Sequence, residues 1–181
     1  GHKFVPDETS EKWIDWGSDN YAGVTWSGIP AADGRRLFIG WMSNWNYAAL
    51  VPSSGWRSAM TLPRELLLSG KNGRYMLVSK PAHEIETLRF VSKSTGFQLA
   101  GTSKEQEILN DSFDLDKCEL EFDFNFSEKL PDTLRIVTGN SRGEKLVVGF
   151  SSVANRFYID RMRSGITTFS KEFGRIATAP Y

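Results

Sequence analysis

Residues 35–68, RRLFIGWMSNWNYAALVPSSGWRSAMTLPRELLL, constrain the fold more than any other part of this chain. Two strand-like runs, 35–42 and 56–68, flank a loop rich in aromatic and amide groups, and Pro63 interrupts the second run. Trp41, Trp45 and Trp56 all fall in this stretch. Indole faces beside Asn44 and Asn46 suit a sugar, because a sugar ring offers C–H faces to stack and hydroxyls to hydrogen-bond. The same tryptophans suit a purely structural role as core or loop anchors. Composition alone does not choose between the two.

The neighbouring segments extend the strand pattern. Residues 24–28 read as a strand, Ala31-Ala32-Asp33-Gly34 as a turn and 35–42 as the returning strand, and Asp-Gly between two such runs signals a hairpin. Residues 56–68 give a third strand, Gly70-Lys71-Asn72-Gly73 a turn, and 74–79 a fourth. Four consecutive antiparallel strands of this length match one blade of a β-propeller. Residues 1–12 are polar and enter as an extended arm. Residues 81–89 read as a short connecting helix, with Pro81 in its first turn and Ala82, Ile85 and Leu88 or Arg89 at helical spacing. His83 on that segment reads as a solvated surface residue, since no second ligand is in sight.

The aromatic residues divide the chain into two units with different cores. All 6 tryptophans lie at or before Trp56, whereas ten of the 12 phenylalanines lie at or after Phe90. Within 118–126, apolar Leu120, Phe122, Phe124 and Phe126 alternate with Glu119, Glu121, Asp123 and Asn125, a period of two with one buried face. Similar logic marks strands over 133–138, 146–151, 157–162 and 166–169, punctuated by Asn140, Gly143, Asn155 and Gly165. Short strands at this spacing indicate a β-sandwich. The chain is thus expected to be all-β: a propeller blade over 1–80, a linker helix over 81–89 and a sandwich over 90–181.

Charge and composition narrow the function. Lys plus Arg number 22, as do Asp plus Glu, so the formal net charge is zero. A charge-driven nucleic-acid or membrane-surface role is not expected, and a neutral carbohydrate partner needs no such charge. No apolar run approaches the roughly 20 residues of a transmembrane helix, and no signal peptide is visible at residues 1–3. The lone Cys118, with His2 and His83, offers no zinc-site spacing, so no metal or other cofactor is expected.

Several ordered motifs carry a family resemblance. GWMSNWNYA (40–48), a short loop containing Val51-Pro52, and WRSAMTLPREL (56–66) closely resemble glycoside hydrolase family 32, the β-fructosidases: invertases, inulinases and levanases. Upstream, Asp15-Trp16-Gly17-Ser18-Asp19-Asn20-Tyr21-Ala22 resembles that family's DxGxDxYA segment. The match is good over roughly 13–69 and elsewhere rests on strand pattern. The resemblance implies a five-bladed propeller, of which this blade is the last, followed by a C-terminal sandwich. It also implies a fructan- or sucrose-type substrate and an extracellular or periplasmic location. The family's nucleophile (WMNDPNG-like), transition-state (RDP) and acid/base (EC) motifs do not occur here. Pro63-Arg64-Glu65 is not RDP, and Cys118-Glu119 inverts EC. A β-fructosidase portion without catalytic carboxylates is therefore expected, its uncovered blade face and sheet edge met by the remainder of the enzyme or by self-association. The family's sandwich usually continues through a VDxSSVEVFxNxG-like pair of strands, which is not seen before Tyr181, so both units read as incomplete. A non-catalytic, lectin-like carbohydrate-binding module is the alternative.

Four residues are the candidate substrate contacts. The resemblance implies that a tryptophan of GWMSNW walls the fructose pocket. Trp45, which borders the loop, is favoured, and Trp41, inside the strand, suits the core as well. Asp15 and Asp19 are the carboxylates inside a recognised motif. A retaining glycosidase needs two carboxyl groups about 5–5.5 Å apart, but the resemblance assigns that pair to earlier blades, leaving these two for sugar hydroxyls or for a structural turn. Arg57, Arg64 and Glu65 are expected to serve the junction between the two units as a paired charge set.

Overall fold

The computed structural model describes residues 3, 5, 11–71, 74–98, 105–108, 114–126 and 129–181. Its regular structure is almost entirely β, in two four-stranded antiparallel sheets. The first holds β1 (Tyr21–Thr25), β2 (Leu37–Trp41), β3 (Arg64–Lys71) and β4 (Arg74–Pro81) in sequence order. The second holds β5 (Thr133–Gly139), β6 (Lys145–Ser151), β7 (Arg156–Arg163) and β8 (Ile176–Pro180), also in sequence order.

Local chemistry explains most of the strand boundaries. Pro63 cannot donate to a ladder, and β3 begins immediately after it at Arg64. Residues 56–63 are therefore not strand, contrary to expectation; they meet β2 through an isolated bridge, Trp41 to Met60, and through the Thr61 hydroxyl, which accepts from the Gly40 N–H at 3.0 Å. β1 pairs with β2 as a hairpin, but the Asp33-Gly34 turn sits inside the long connection between Thr25 and Leu37 rather than closing it tightly. Gly34 takes φ +68 there, and the Asp33 N–H donates to the Pro30 carbonyl at 2.9 Å. The expected turn at 70–73 lies partly outside the described residues, as does most of the arm at 1–12.

Gly23 shows why a side chain is excluded in β1. A Cβ built there would lie 2.1 Å from the Phe38 ring, so the far end of this buried β2 ring abuts bare backbone.

The segment after β4, read as a short connecting helix, is a 3-10 helix, His83–Leu88. Pro81 is the last residue of β4 and pairs with Arg64, so it cannot open a helix. The exposed His83 side chain shares a hydrogen bond with Arg35 Nη1 (2.9 Å), and Arg35 also holds Asp33 and Glu84.

In the second sheet β5, β6 and β7 fall where alternation places them. Two other expectations fail. Residues 118–126 form no strand, because among the described residues nothing pairs with their backbone. Their alternation survives all the same: the Phe122, Phe124 and Phe126 rings stack along one side with centroids 6.0 and 6.3 Å apart. Residues 166–169 are bends and turns, and the fourth strand is Ile176–Pro180 instead. The turn positions read from sequence do carry left-handed backbone, at Gly143 (φ 78), Asn155 (φ 49) and Gly165 (φ 135).

Little of the apolar surface is enclosed. Among the described residues only Phe38, Tyr47 and Ala82 are buried apolar side chains. The chain exposes 15078 Å², whereas a compact protein of its mass exposes about 8,800 Å². Leu68, Met76, Val153, Ile166 and Tyr181 all stand in solvent.

Candidate functional site

The end of the first sheet nearest the 42–50 loop brings the sequence-marked residues together. β1 and β2 are out of step there: Tyr21 faces Trp41 and Val24 faces Ile39, so three residue steps in β1 oppose two in β2. This bulge, with Ala22 at φ 50, turns Tyr21 toward the tryptophans. Tyr21, Trp41 and Trp45 meet edge to face, with Trp41 and Trp45 centroids 5.1 Å apart and Tyr21 6.2 Å from each. Trp45 is 71% exposed and Tyr21 53%, while Trp41 is half-buried beneath them. The result is a supported aromatic surface facing solvent. Trp56 is likewise exposed, on the 53–57 loop, and stands apart from this cluster.

The two carboxylates come from the segment that leads into β1 and are both engaged by arginines. Asp15 accepts from the Gly17 N–H (2.9 Å), from Asn20 Nδ2 (3.3 Å) and from Arg64 Nη2 (2.7 Å). Partial burial alone would raise its pKa, but the Gly17 N–H, the Arg64 pair and Asn20 outweigh it and hold the carboxyl below the usual range. Asp15 is thus an ionised acceptor at neutral pH and no proton donor. Arg64 therefore works inside the first sheet unit, and the expected junction role falls elsewhere. Arg57 donates to the Ala49 carbonyl, bracing the loop instead of joining the units.

Asp19 belongs to a second network. Arg161 Nη1 donates to its Oδ2 at 2.5 Å, the Tyr47 hydroxyl donates to its Oδ1, and Ser18 Oγ lies 3.4 Å away. Tyr47 is the most enclosed side chain described, at 2% exposure. Burial, followed by its bond to the Asp19 carboxylate, pushes the phenol pKa up, so it stays a donor at neutral pH. Phe169 and Phe173 pack edge-on against its ring at 6.4 and 5.5 Å. Arg161 comes from β7, where three residue steps from Asp160 to Arg163 oppose two in β6, so a second bulge aims it out of the sheet. Burial works against its charge, but Asp19 and Tyr47 prevail and its pKa is raised.

Sequence reasoning did not single out Tyr47, Ser18 or Arg161. Tyr47 was within reach, as the tyrosine of SNWNYA. Arg161 had no sequence signal, because its partner Asp19 lies 142 residues away. Among the described residues no group of three His, Cys, Asp or Glu side chains could hold a metal ion, and Cys118 is an exposed free thiol. No helix among them is long and apolar enough to cross a membrane.

Residues 1–81 match the model for the glycosyl hydrolases family 32 N-terminal domain, and residues 84–181 match that for the family 32 C terminal. A levanase of Bacillus subtilis (strain 168) is 37% identical over 161 residues, covering 89% of this chain and 24% of the levanase. An extracellular exo-inulinase of Aspergillus niger is 28% identical over 177 residues, covering 97% of this chain and 32% of the inulinase. In fold, the chain is similar to the exo-inulinase of Aspergillus awamori, with TM-score 0.60, 21% identity, 97% of this chain and 34% of that one. It is also similar to a fructofuranosidase of Schwanniomyces occidentalis complexed with fructosylnystose, with TM-score 0.61, 21% identity, 99% of this chain and 37% of that one. The chain spans about a quarter to a third of the length of these proteins.

Proposed function

This chain belongs to glycosyl hydrolase family 32, and we propose that it is the C-terminal part of a β-fructosidase acting on fructans or sucrose, in which it walls the fructose pocket. On this reading residues 1–80 are the last blade of a five-bladed propeller, 81–89 the linker and 90–181 the sandwich. The observation that carries the proposal is the aromatic surface of Tyr21, Trp41 and Trp45, exposed on one side and supported on the other. A furanose ring laid against Trp45 buries its C–H face on the indole.

Asp15 and Asp19, from the segment that leads into β1, are hydrogen-bonded acceptors whose geometry is fixed by Arg64 and Arg161. Each retains lone pairs toward a sugar hydroxyl, since an ionised carboxylate has about four acceptor sites. Asp15 is not placed to act as an acid/base group: that role needs a carboxyl with raised pKa, and Asp15 is shifted the other way; the Asp19 carboxylate is taken up by Arg161 and Tyr47. The nucleophile and acid/base carboxylates come from the rest of the enzyme. That remainder also covers the apolar sheet faces left open here, worth about 25 cal/mol per Å². The complete enzyme works outside the cell, in keeping with its polymeric substrates and with the extracellular exo-inulinases among the relatives.

The test is a titration of the chain with a fructo-oligosaccharide, followed by intrinsic tryptophan fluorescence, with fructose release assayed in parallel. The expected result is a saturable spectral change, abolished in Trp45→Ala, and no release of fructose. Fructose release that is lost on Asp15→Ala or Asp19→Ala, or an unchanged titration in Trp45→Ala, contradicts the proposal.

A further inference from the structure

We propose that Arg161, on the second sheet, is a positioning residue for the sugar-facing aromatic wall of the first. Its guanidinium fixes Ser18, Asp19 and Tyr47, and through them the loop that carries Trp45. The inference rests on the reading of Tyr21, Trp41 and Trp45 as that wall.

Every edge of the guanidinium is in use. Nε donates to the Phe173 carbonyl at 2.7 Å, Nη1 to Asp19 at 2.5 Å, and Nη2 to Ser18 Oγ at 3.0 Å and the Tyr47 hydroxyl at 3.1 Å. The plane also lies over the Phe173 ring, 4.1 Å from its centroid. A planar fork serving this many acceptors at once is something a lysine ammonium cannot reproduce. The Phe173 carbonyl anchors Arg161 to its own unit, and the three remaining acceptors all belong to the other one.

Those three acceptors control the Trp45 loop from both ends. The Ser18 carbonyl accepts from Asn44 Nδ2 at 2.8 Å, and Asn44 Oδ1 accepts from the Asn46 N–H at 2.9 Å. The Asn44 carbonyl in turn accepts from the Tyr47 and Ala48 N–H groups at 3.1 and 2.8 Å. Trp45 sits within this closed turn, between an asparagine tied to Ser18 and a tyrosine tied to Asp19. Its own side chain touches only Trp41 and Tyr21 among described ring contacts and is otherwise in solvent. The turn, together with the edge-to-face contacts of Trp41 and Tyr21, therefore sets the direction of its indole. The second sheet thus has a task in recognition: through Arg161 it holds one wall of the site.

The experiment uses the full chain labelled with 5-fluorotryptophan and read by fluorine NMR without sugar. The Trp45 and Trp26 resonances are assigned from Trp45→Phe and Trp26→Phe. In Arg161→Ala the Trp45 resonance is expected to shift and broaden while that of Trp26, at the end of β1, stays in place. Arg161→Lys is expected to behave like Arg161→Ala. Arg175→Ala, which removes an exposed pair with Glu172 in the same unit, is expected to leave Trp45 unchanged. A Trp45 resonance that is unaltered in Arg161→Ala overturns the inference. So does simultaneous collapse of the Trp26 and Trp45 resonances, which would make Arg161 a general stabiliser. Adding a fructo-oligosaccharide should then show binding weakened on the order of tenfold in Arg161→Ala, the loss of about one charge-assisted hydrogen bond's worth of order. If neither protein responds to sugar, the proposed function fails, and the sugar-free spectra still decide the role of Arg161.

Discussion

Tyr47→Phe isolates the hydroxyl at the centre of the junction. The ring stays, and with it the edge-on packing against Phe169 and Phe173. What is lost is one donor to the Asp19 carboxylate and one acceptor for Arg161 and Ser18. Asp19 keeps Arg161, and Arg161 keeps Asp19, Ser18 and the Phe173 carbonyl, so neither charge is abandoned. The cost is then that of one hydrogen bond to a charged group, about 1.5–3 kcal/mol, and we expect about 2 kcal/mol. Tyr47→Ala removes the enclosed ring as well and should cost about 3–5 kcal/mol more, the range for a buried aromatic cut back to alanine. Urea unfolding followed by circular dichroism gives both values if the slope is unchanged, since a shifted midpoint at constant slope is a stability change. The reasoning is refuted if Tyr47→Phe lies within 0.5 kcal/mol of the parent, taking about 0.5 as the ordinary scatter of surface changes. Equal costs for Phe and Ala would refute it too.

Three further outcomes follow from the same geometry. Gly23→Ala places a methyl group 2.1 Å from the Phe38 ring and should cost about 1–3 kcal/mol by overpacking, measurable by the same unfolding assay. The Gly17 N–H, Arg64 and Asn20 hold the Asp15 carboxyl below the usual carboxylate range against the effect of burial, so its contribution is present at neutral pH and disappears as pH falls through the folded pKa. Acid unfolding should accordingly begin below about pH 4, and Asp15→Asn should flatten that limb. Asp33 and Glu84, each held at about 2 by their hydrogen bonds to Arg35, should keep the tie between the start of β2 and the 83–88 turn until the pH approaches 2. Carboxyl carbon shifts titrated by NMR would check this, and midpoints near 4 would contradict it.

The legible parts of this fold are those where one local rule decides. β5, β6 and β7 alternate cleanly, and the motifs at 15–22 and 40–66 carry the family, whereas the run 56–68 reads as one strand although only its part after Pro63 is. β8 was missed because Ile176-Ala177-Thr178-Ala179 has almost no apolar contrast between its faces. Phe169 looked like part of a strand because it is apolar, but its ring is spent on Tyr47 and not on a sheet face. Residues 118–126 show the opposite failure, since the pattern was right and the pairing partner is what decides a strand. The site itself was half legible. Trp41, Trp45, Asp15 and Asp19 stand out by motif, whereas the bulges that aim Tyr21 and Arg161 leave no trace in the alternation. No one-dimensional pattern links Asp19 to Arg161.

The central claim is that the Tyr21–Trp41–Trp45 surface receives a fructose unit. Saturation-transfer-difference NMR tests it most directly, with a fructo-oligosaccharide in excess over the chain and maltose as the control sugar. The account predicts transfer to the ring protons of a terminal fructose, none to maltose, and loss of the signal in Trp45→Ala with Trp26→Ala unaffected. Transfer that persists in Trp45→Ala, or that is equal for the two sugars, contradicts it.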